Sequence, residues 1–304
     1  MNKLNSALLI GCGNIGGLYD FDNKNFQSHA KMIYNSDWIK NIDVFDEDPI
    51  NLKKVASKYN FNLINNLPSK TLKDYDLVCI SSPTNTHYYY LKKCLEFNVP
   101  LIICEKPISD CLNELEKLEE LYNNSKSQVL VNYVRRFNRG YNLLKSEFKD
   151  FINDIHTIKI DYHRGLLNNL SHAFDTINYF FDFELNFSNV KILNKTFDHF
   201  KKDPTVSLNF CENDIVFNVN GVISQKSILT IEFISQNDRA VLSNSGNDFF
   251  YYKGGILISE QKQLLKNYMI DVYKHLFNIY SNNEKSDNFI SSLNLNRNLI
   301  NNIL

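Results

Sequence analysis

Net charge of one sign is missing from this sequence: 33 Lys and Arg face 34 Asp and Glu, which leaves −1. A balance so close to zero lacks the electrostatic footprint of a nucleic-acid binder. The short lysine runs at 53–54, 92–93 and 201–202 read as solvated faces. No stretch approaches the roughly 20 apolar residues of a membrane span. The opening apolar run Ala7–Ile10 is too short for a signal core and ends in glycines rather than at a small-residue cleavage site. A cytoplasmic protein with neither nucleic-acid nor membrane partners is therefore expected. The six cysteines include no Cys-x-x-Cys pair and no Cys/His cluster of zinc spacing, so no metal site is expected. Cys12, Cys79 and Cys104 fall in or beside apolar runs and read as buried free thiols. Internal repeats are absent as well.

What remains is an ordinary globular composition, 43% hydrophobic and 22% charged, over 304 residues, a length that suits two domains at about 150 residues each. The first half alternates short apolar runs with amphipathic stretches. Strands are predicted at 4–10, 42–45, 77–81, 101–104 and 128–133, and helices after the first glycines, from Pro49 through Tyr59, at 86–97 and at 110–123. The strand runs lack period-two alternation, as parallel strands covered on both faces do. Strand and helix in turn imply an α/β, doubly wound parallel sheet. After Arg136 the texture changes. Helices are predicted at 141–152, 171–181, 266–280 and 293–304, with strands at 158–162 and through the stretch 190–258. That pattern implies a C-terminal α+β domain on a mainly antiparallel sheet. The expected division is 1–136 and 137–304.

Gly11-Cys12-Gly13-Asn14-Ile15-Gly16 fits G-x-G-x-x-G directly after a predicted strand. Gly11 makes the tight turn, Gly13 lets a pyrophosphate approach the backbone, and Gly16 allows close helix–strand packing. The N–H groups of the following turn, from Asn14 and Ile15 onward, then face the phosphates. This is the fingerprint of a Rossmann-type dinucleotide site. An acidic residue ending the second strand holds the adenosine ribose in such sites, and Asp46 is the candidate. It lies thirty residues beyond Gly16, further than the usual distance of about 20, and an insertion around Tyr19–Phe26 accounts for the excess. A carboxylate there repels a 2′-phosphate, which favours NAD(H) over NADP(H). The alternative for Asp46 is simply to N-cap the next helix.

Three further clusters follow strand ends: Ser82-Pro83-Thr84-Asn85-Thr86-His87, Glu105-Lys106-Pro107 and Asn132-Tyr133-Val134-Arg135-Arg136-Phe137. With Gly165 and the run Asn169–Asp175, they resemble the Gfo/Idh/MocA family, the glucose-fructose oxidoreductase and inositol dehydrogenase group. The resemblance spans most of the first 180 residues; beyond that only the strand-rich pattern matches. It implies a nicotinamide-dependent enzyme interconverting a secondary alcohol and a ketone on a sugar, nucleotide sugar or polyol. Lys106 would contact the reacting oxygen and the nicotinamide ribose, where an ammonium stabilises developing alkoxide charge. Glu105 would orient the strand-end loop or Lys106, and Pro107 in this family often follows a cis bond.

His172 matches the family's active-site histidine, a natural acid–base group. Asp175 lies one turn on, placed to pair with His172 or with substrate hydroxyls. Asn168 stands where many polyol dehydrogenases of the family carry Asp; an amide takes no proton but hydrogen-bonds a hydroxyl. Thr84 and His87, with Asn85 and Ser82 beside them, match cofactor-lining positions, although a histidine at a helix start also packs or caps without touching ligand. Two readings stand for Arg136: contact with an anionic substrate, or a tie between the two domains. Tyr88–Tyr90 read as core or interface packing rather than sugar stacking. The resemblance points to surface-polysaccharide sugar synthesis, with catabolic polyol or inositol oxidation as the alternative. Outside enzymes, a dinucleotide sensor or partner subunit remains, and an exposed sheet face implies a homodimer or homotetramer.

Overall fold

A computed structural model describes residues 4–67, 69–198, 200–224, 226–282 and 288–304. Its first strand, β1 (Leu4–Ile10), is apolar at every position from Ala7 to Ile10, and none of those side chains reaches solvent. The chain then runs through α1 (His29–Tyr34), β2 (Ile39–Phe45), α2 (Pro49–Tyr59), β3 (Asn62–Leu63), β4 (Leu77–Ile80), α3 (Thr84–Glu96), β5 (Leu101–Cys104), α4 (Leu112–Asn124) and β6 (Gln128–Val131). These six strands form one parallel sheet in the order β3-β2-β1-β4-β5-β6. Because β1 is followed on its two sides by β2 and β4, the order reverses there, and ligands of open α/β sheets bind at such a switch point. Local chemistry sets the helix limits. Asp48 caps α2, Pro49 occupies its first turn, and Asn60 ends it in the left-handed conformation.

The second unit begins with α5 (Arg139–Glu147) and α6 (Lys149–Asn153), two helices broken at Phe148 where one was expected. Next come β7 (Thr157–His163), α7 (Ser171–Phe181), β8 (Lys191–Thr196), β9 (Thr205–Glu212), β10 (Ile215–Val222), β11 (Leu229–Ile234), β12 (Asp238–Ser243), β13 (Asp248–Lys253) and β14 (Ile256–Gln261). They pair in the order β14-β13-β12-β11-β7-β10-β9-β8. All neighbours are antiparallel except β7 and β10. Burial alternates along β7, β9, β10 and β11, the mark of a sheet with one packed face. The α+β expectation is thus met.

The division between units differs from a single cut after Arg136. The first unit comprises Met1–Val134 together with Asn267–Leu293; the second comprises Arg135–Lys266 with Asn294–Leu304. The reason is α8 (Tyr268–Asn282), whose apolar side, with Met269, Val272, Tyr273 and Leu276, is fully buried. It is hydrogen-bonded to the first unit: Met269 N–H donates to Phe26 O (3.3 Å), and Asn267 accepts from Phe26 N–H (3.0 Å). Amphipathic periodicity says that a helix buries a face but not against what. The last helix, α9 (Phe289–Asn302), starts in the first unit and ends in the second.

The second unit's core has a test. Phe217 of β10 is fully buried and lies opposite Phe210 of β9, the rings 4.3 Å apart and nearly parallel. Phe217→Ala is expected to lower the unfolding free energy by about 3–5 kcal/mol. Urea titration checks this through a reduced midpoint at unchanged slope.

Candidate active site

At the switch point β1 gives way to the glycine turn. Gly11 has φ of +96°, and a Cβ there would lie 2.5 Å from Ser82 N and 2.6 Å from the Ser81 backbone. Gly16 packs so closely that its Cβ would fall 2.1 Å from the Gly11 carbonyl oxygen. Gly13 is the opposite case: nothing lies within 4 Å of a Cβ built on it, which leaves the open approach that a pyrophosphate needs. The first backbone bond of the turn runs from Gly17 N–H to Gly13 O (2.9 Å). The N–H groups of Asn14, Ile15 and Gly16 precede it, as the leading donors of a helix do.

The helix expected after the glycines is instead a five-residue π-helical turn, Asn14–Leu18. The expected insertion follows, free of helix and strand from Tyr19 to Ser28. Buried Asp20 folds it back: its carboxylate accepts from the N–H groups of Gln27 (2.6 Å) and Ser28 (2.9 Å) and from the Ser28 hydroxyl (2.6 Å). Ser28 in turn caps α1. The regular helix therefore starts only at His29.

Asp46 follows β2 and meets the glycine turn. One carboxylate oxygen accepts from Cys12 N–H, the other from Asp48 N–H (2.7 Å). The capping role open to Asp46 belongs to Asp48, whose carboxylate takes the Ile50 N–H (2.8 Å). Asp46 is thus half-buried beside the turn. Together with the open Gly13, these groups fit a dinucleotide.

The loops after β4 and β5 are braced from inside. His87 is buried, with Nδ1 2.8 Å from Pro107 O and Nε2 2.8 Å from Ser82 O. Burial lowers its pKa against the pull of the two carbonyls. It joins the two loops from beneath, while Thr84 beside it is half-buried and Asn85 exposed. The Ser82 hydroxyl pairs with Thr86 Oγ1 (2.7 Å). Lys106 is half-buried and its bond to Pro107 is cis.

Glu105 points inward. Its Oε1 accepts from Asn132 Nδ2 (2.5 Å) and His29 Nε2 (3.1 Å). Burial pushes its pKa up, but the His29 and Asn132 hydrogen bonds and the nearby Lys106 ammonium bring it below the ordinary carboxyl value. His29 and Tyr273, whose hydroxyl lies 2.9 Å from His29 Nδ1, were not singled out by sequence reasoning. The signal available was His29 at a helix start after the insertion.

In the second unit, a π-helical turn at Leu166–Leu170 feeds directly into α7. Asp203 sets it: its carboxylate takes the N–H groups of Leu167 (2.7 Å) and Asn168 (3.0 Å), a residue no sequence motif marked. Asn168 and His172 are both half-buried. Asp175 is buried, and its carboxylate is held in a two-pronged ion pair by Arg136. Burial raises the Asp175 pKa, opposed by Arg136. This ion pair lies within one unit.

Among the described residues no helix is long and apolar enough to cross a membrane, and no cluster of His, Cys, Asp and Glu is placed to hold a metal ion. Residues 6–133 match the Gfo/Idh/MocA oxidoreductase family with its NAD-binding Rossmann fold. An inositol 2-dehydrogenase from Rhodococcus jostii (strain RHA1) is 35% identical over 78 residues, 25% of this chain and 21% of that protein. Another, from Rhizobium meliloti (strain 1021), is 23% identical over 142 residues, 47% of this chain and 40% of that one. The match thus spans less than half of either relative. Over nearly the whole chain the fold is like that of KijD10, a 3-ketoreductase from Actinomadura kijaniata in complex with NADP and TDP-benzene. The TM-score is 0.77 at 10% identity, covering 99% of this chain and 96% of that one.

A group whose folded pKa is depressed stabilises the fold above its unfolded value, about 4.3 for Glu, and loses that contribution as pH falls through the folded value. Unfolding free energy measured between about pH 5 and pH 3 is therefore expected to fall less steeply in Glu105→Gln than in the wild type. Equal slopes would mean that Glu105 is not held as a carboxylate.

Proposed function

We propose that this chain, whose residues 6–133 match the Gfo/Idh/MocA oxidoreductase family, interconverts a secondary alcohol and a ketone on a sugar or nucleotide sugar with NAD(H). The observation that carries this reading is the glycine cradle at the sheet's switch point, open at Gly13 and flanked by the Asp46 carboxylate. In this reading Gly11, Gly13 and Gly16 shape the turn, and the N–H groups of Asn14 and Ile15 bind the pyrophosphate. Asp46 accepts from the adenosine ribose and disfavours a 2′-phosphate by repulsion. Ser82, Thr84 and Asn85 line the dinucleotide. His87 and Glu105 serve it indirectly, by fixing the loops that carry them.

A dinucleotide held there would supply the hydride chemistry. The chain's own task is the proton: Lys106 stabilises charge on the reacting oxygen, and His172 receives or returns the proton. Asn168 hydrogen-bonds a substrate hydroxyl. The Arg136–Asp175 ion pair fixes α7 beneath His172, so its charges cancel rather than recruit an anion. The nucleotide-sugar reading takes support from KijD10, described with TDP-benzene and NADP. Cyclic polyols are the second reading, favoured by the inositol 2-dehydrogenase relatives. A place in surface-polysaccharide synthesis belongs to the first reading. Self-association is assigned to the second unit's sheet, where Ile192, Leu193, Ile256, Leu257 and Ile258 are exposed on β8 and β14.

A panel of keto- and hydroxy-nucleotide sugars, free sugars and inositols, followed by nicotinamide absorbance, tests this. Turnover is expected with at least one nucleotide sugar or sugar. Lys106→Ala and His172→Ala should each lower kcat by about 100-fold or more, with NADH still binding. Undiminished turnover in both variants would remove these residues from the mechanism; turnover of inositols alone would favour the second reading.

A further inference from the structure

The strand-end segment Glu105-Lys106-Pro107 is held at both ends from behind. At one end Glu105 N–H continues the sheet ladder to Ile80 O (2.9 Å), and its side chain is buried beneath His29 and Asn132. At the other, the Pro107 carbonyl meets His87. Between these two anchors lies Lys106, half-buried where Glu105 is buried.

His29 is itself fixed from behind, and for a neutral imidazole the donors and acceptors take the following order. A carboxylate only accepts, so His29 Nε2 carries the hydrogen toward Glu105 (3.1 Å). His29 Nδ1 then accepts from the Tyr273 hydroxyl (2.9 Å), and the Tyr273 oxygen receives the Cys79 thiol (3.2 Å). Burial and the neighbouring Cys79 hold Tyr273 well above the ordinary phenol range. Burial also pushes Cys79 up to about 12, so both remain neutral donors. Cys79, His29 and Tyr273 are fully buried. Apolar side chains would fill the same space without desolvating these groups; what a fully satisfied chain adds is a fixed direction at its far end. The two helices that supply it are also joined directly, Tyr268 Oη donating to Gln27 O (2.8 Å) just before α1.

We infer that His29 and Tyr273 are positioning residues for Lys106, acting through the Glu105 carboxylate, so that the returning helix α8 sets the orientation of the strand-end lysine. The inference rests on the oxidoreductase reading, in which Lys106 contacts the nicotinamide half of the dinucleotide. It separates these residues from ones that only support the fold, because their effect must travel through Lys106.

The test compares NADH with ADP-ribose, which lacks the nicotinamide half, by fluorescence and calorimetric titration of the full chain. His29→Ala is expected to weaken NADH by about tenfold, the consequence of leaving a buried acceptor unpaired, and to leave ADP-ribose affinity unchanged. In a Lys106→Ala background the same substitution should have no further effect on NADH. Tyr273→Phe, which keeps the ring and its volume, should act in the same direction and to a smaller extent, and it serves where His29→Ala does not fold. Equal weakening of NADH and ADP-ribose, additivity with Lys106→Ala, or an unchanged NADH affinity in Tyr273→Phe would overturn the inference alone. Wild-type protein that binds neither ligand would overturn the oxidoreductase reading and the inference with it.

Discussion

A carboxylate removed from water must be paired, and in the first unit that requirement organises the surroundings of Glu105. Leaving its charge unmatched inside the protein would cost several kcal/mol. His29 and Asn132 provide the match, and each brings an element with it: α1 from one side of the sequence, the end of β6 from the other. His29 in turn needs a partner for its second nitrogen, and Tyr273 on α8 supplies it. One buried charge thus ties the ends of β5 and β6 to a helix nearly 170 residues away. Lys106, next in sequence, is half-buried.

The glycine turn works by the reverse logic, through room left open rather than groups paired. Gly11 and Gly16 admit no side chain because backbone atoms occupy the space. Gly13 faces nothing, and the Asp46 carboxylate stands beside it, held by the turn's own Cys12 N–H. In the second unit the carboxylate of Asp203 anchors the turn that opens α7, and the Arg136–Asp175 ion pair holds the helix one turn beyond His172. Lys106 and His172 are half-buried, and the neighbouring carboxylates Glu105 and Asp175 are buried and paired.

Much of this was legible because it is local. The apolar runs of β1, β4 and β5, the G-x-G-x-x-G turn and Glu105-Lys106-Pro107 are contiguous in sequence, and α7 runs from Ser171 to Phe181 as its periodicity predicts. Features that depend on distant partners were not. His29 and Tyr273 lie 244 residues apart, and nothing in either neighbourhood announces the other. The apolar stripe of α8 required burial without naming a partner, so residues 267–293 were assigned to the wrong unit. Strand β3 escaped because it is two exposed residues on the sheet edge. Asp46 and Asp48 were separable only by geometry: each is an acidic residue before a helix, and the hydrogen bonds decide which one caps it.

The central claim is that the first unit is an NAD(H) site. Titrating the purified chain with NADH and with NADPH, by nicotinamide fluorescence, tests it most directly. Saturable binding of NADH, tighter than that of NADPH by about tenfold or more for a carboxylate facing the extra phosphate, is the predicted result. Failure of a folded sample to bind either nucleotide would contradict the account.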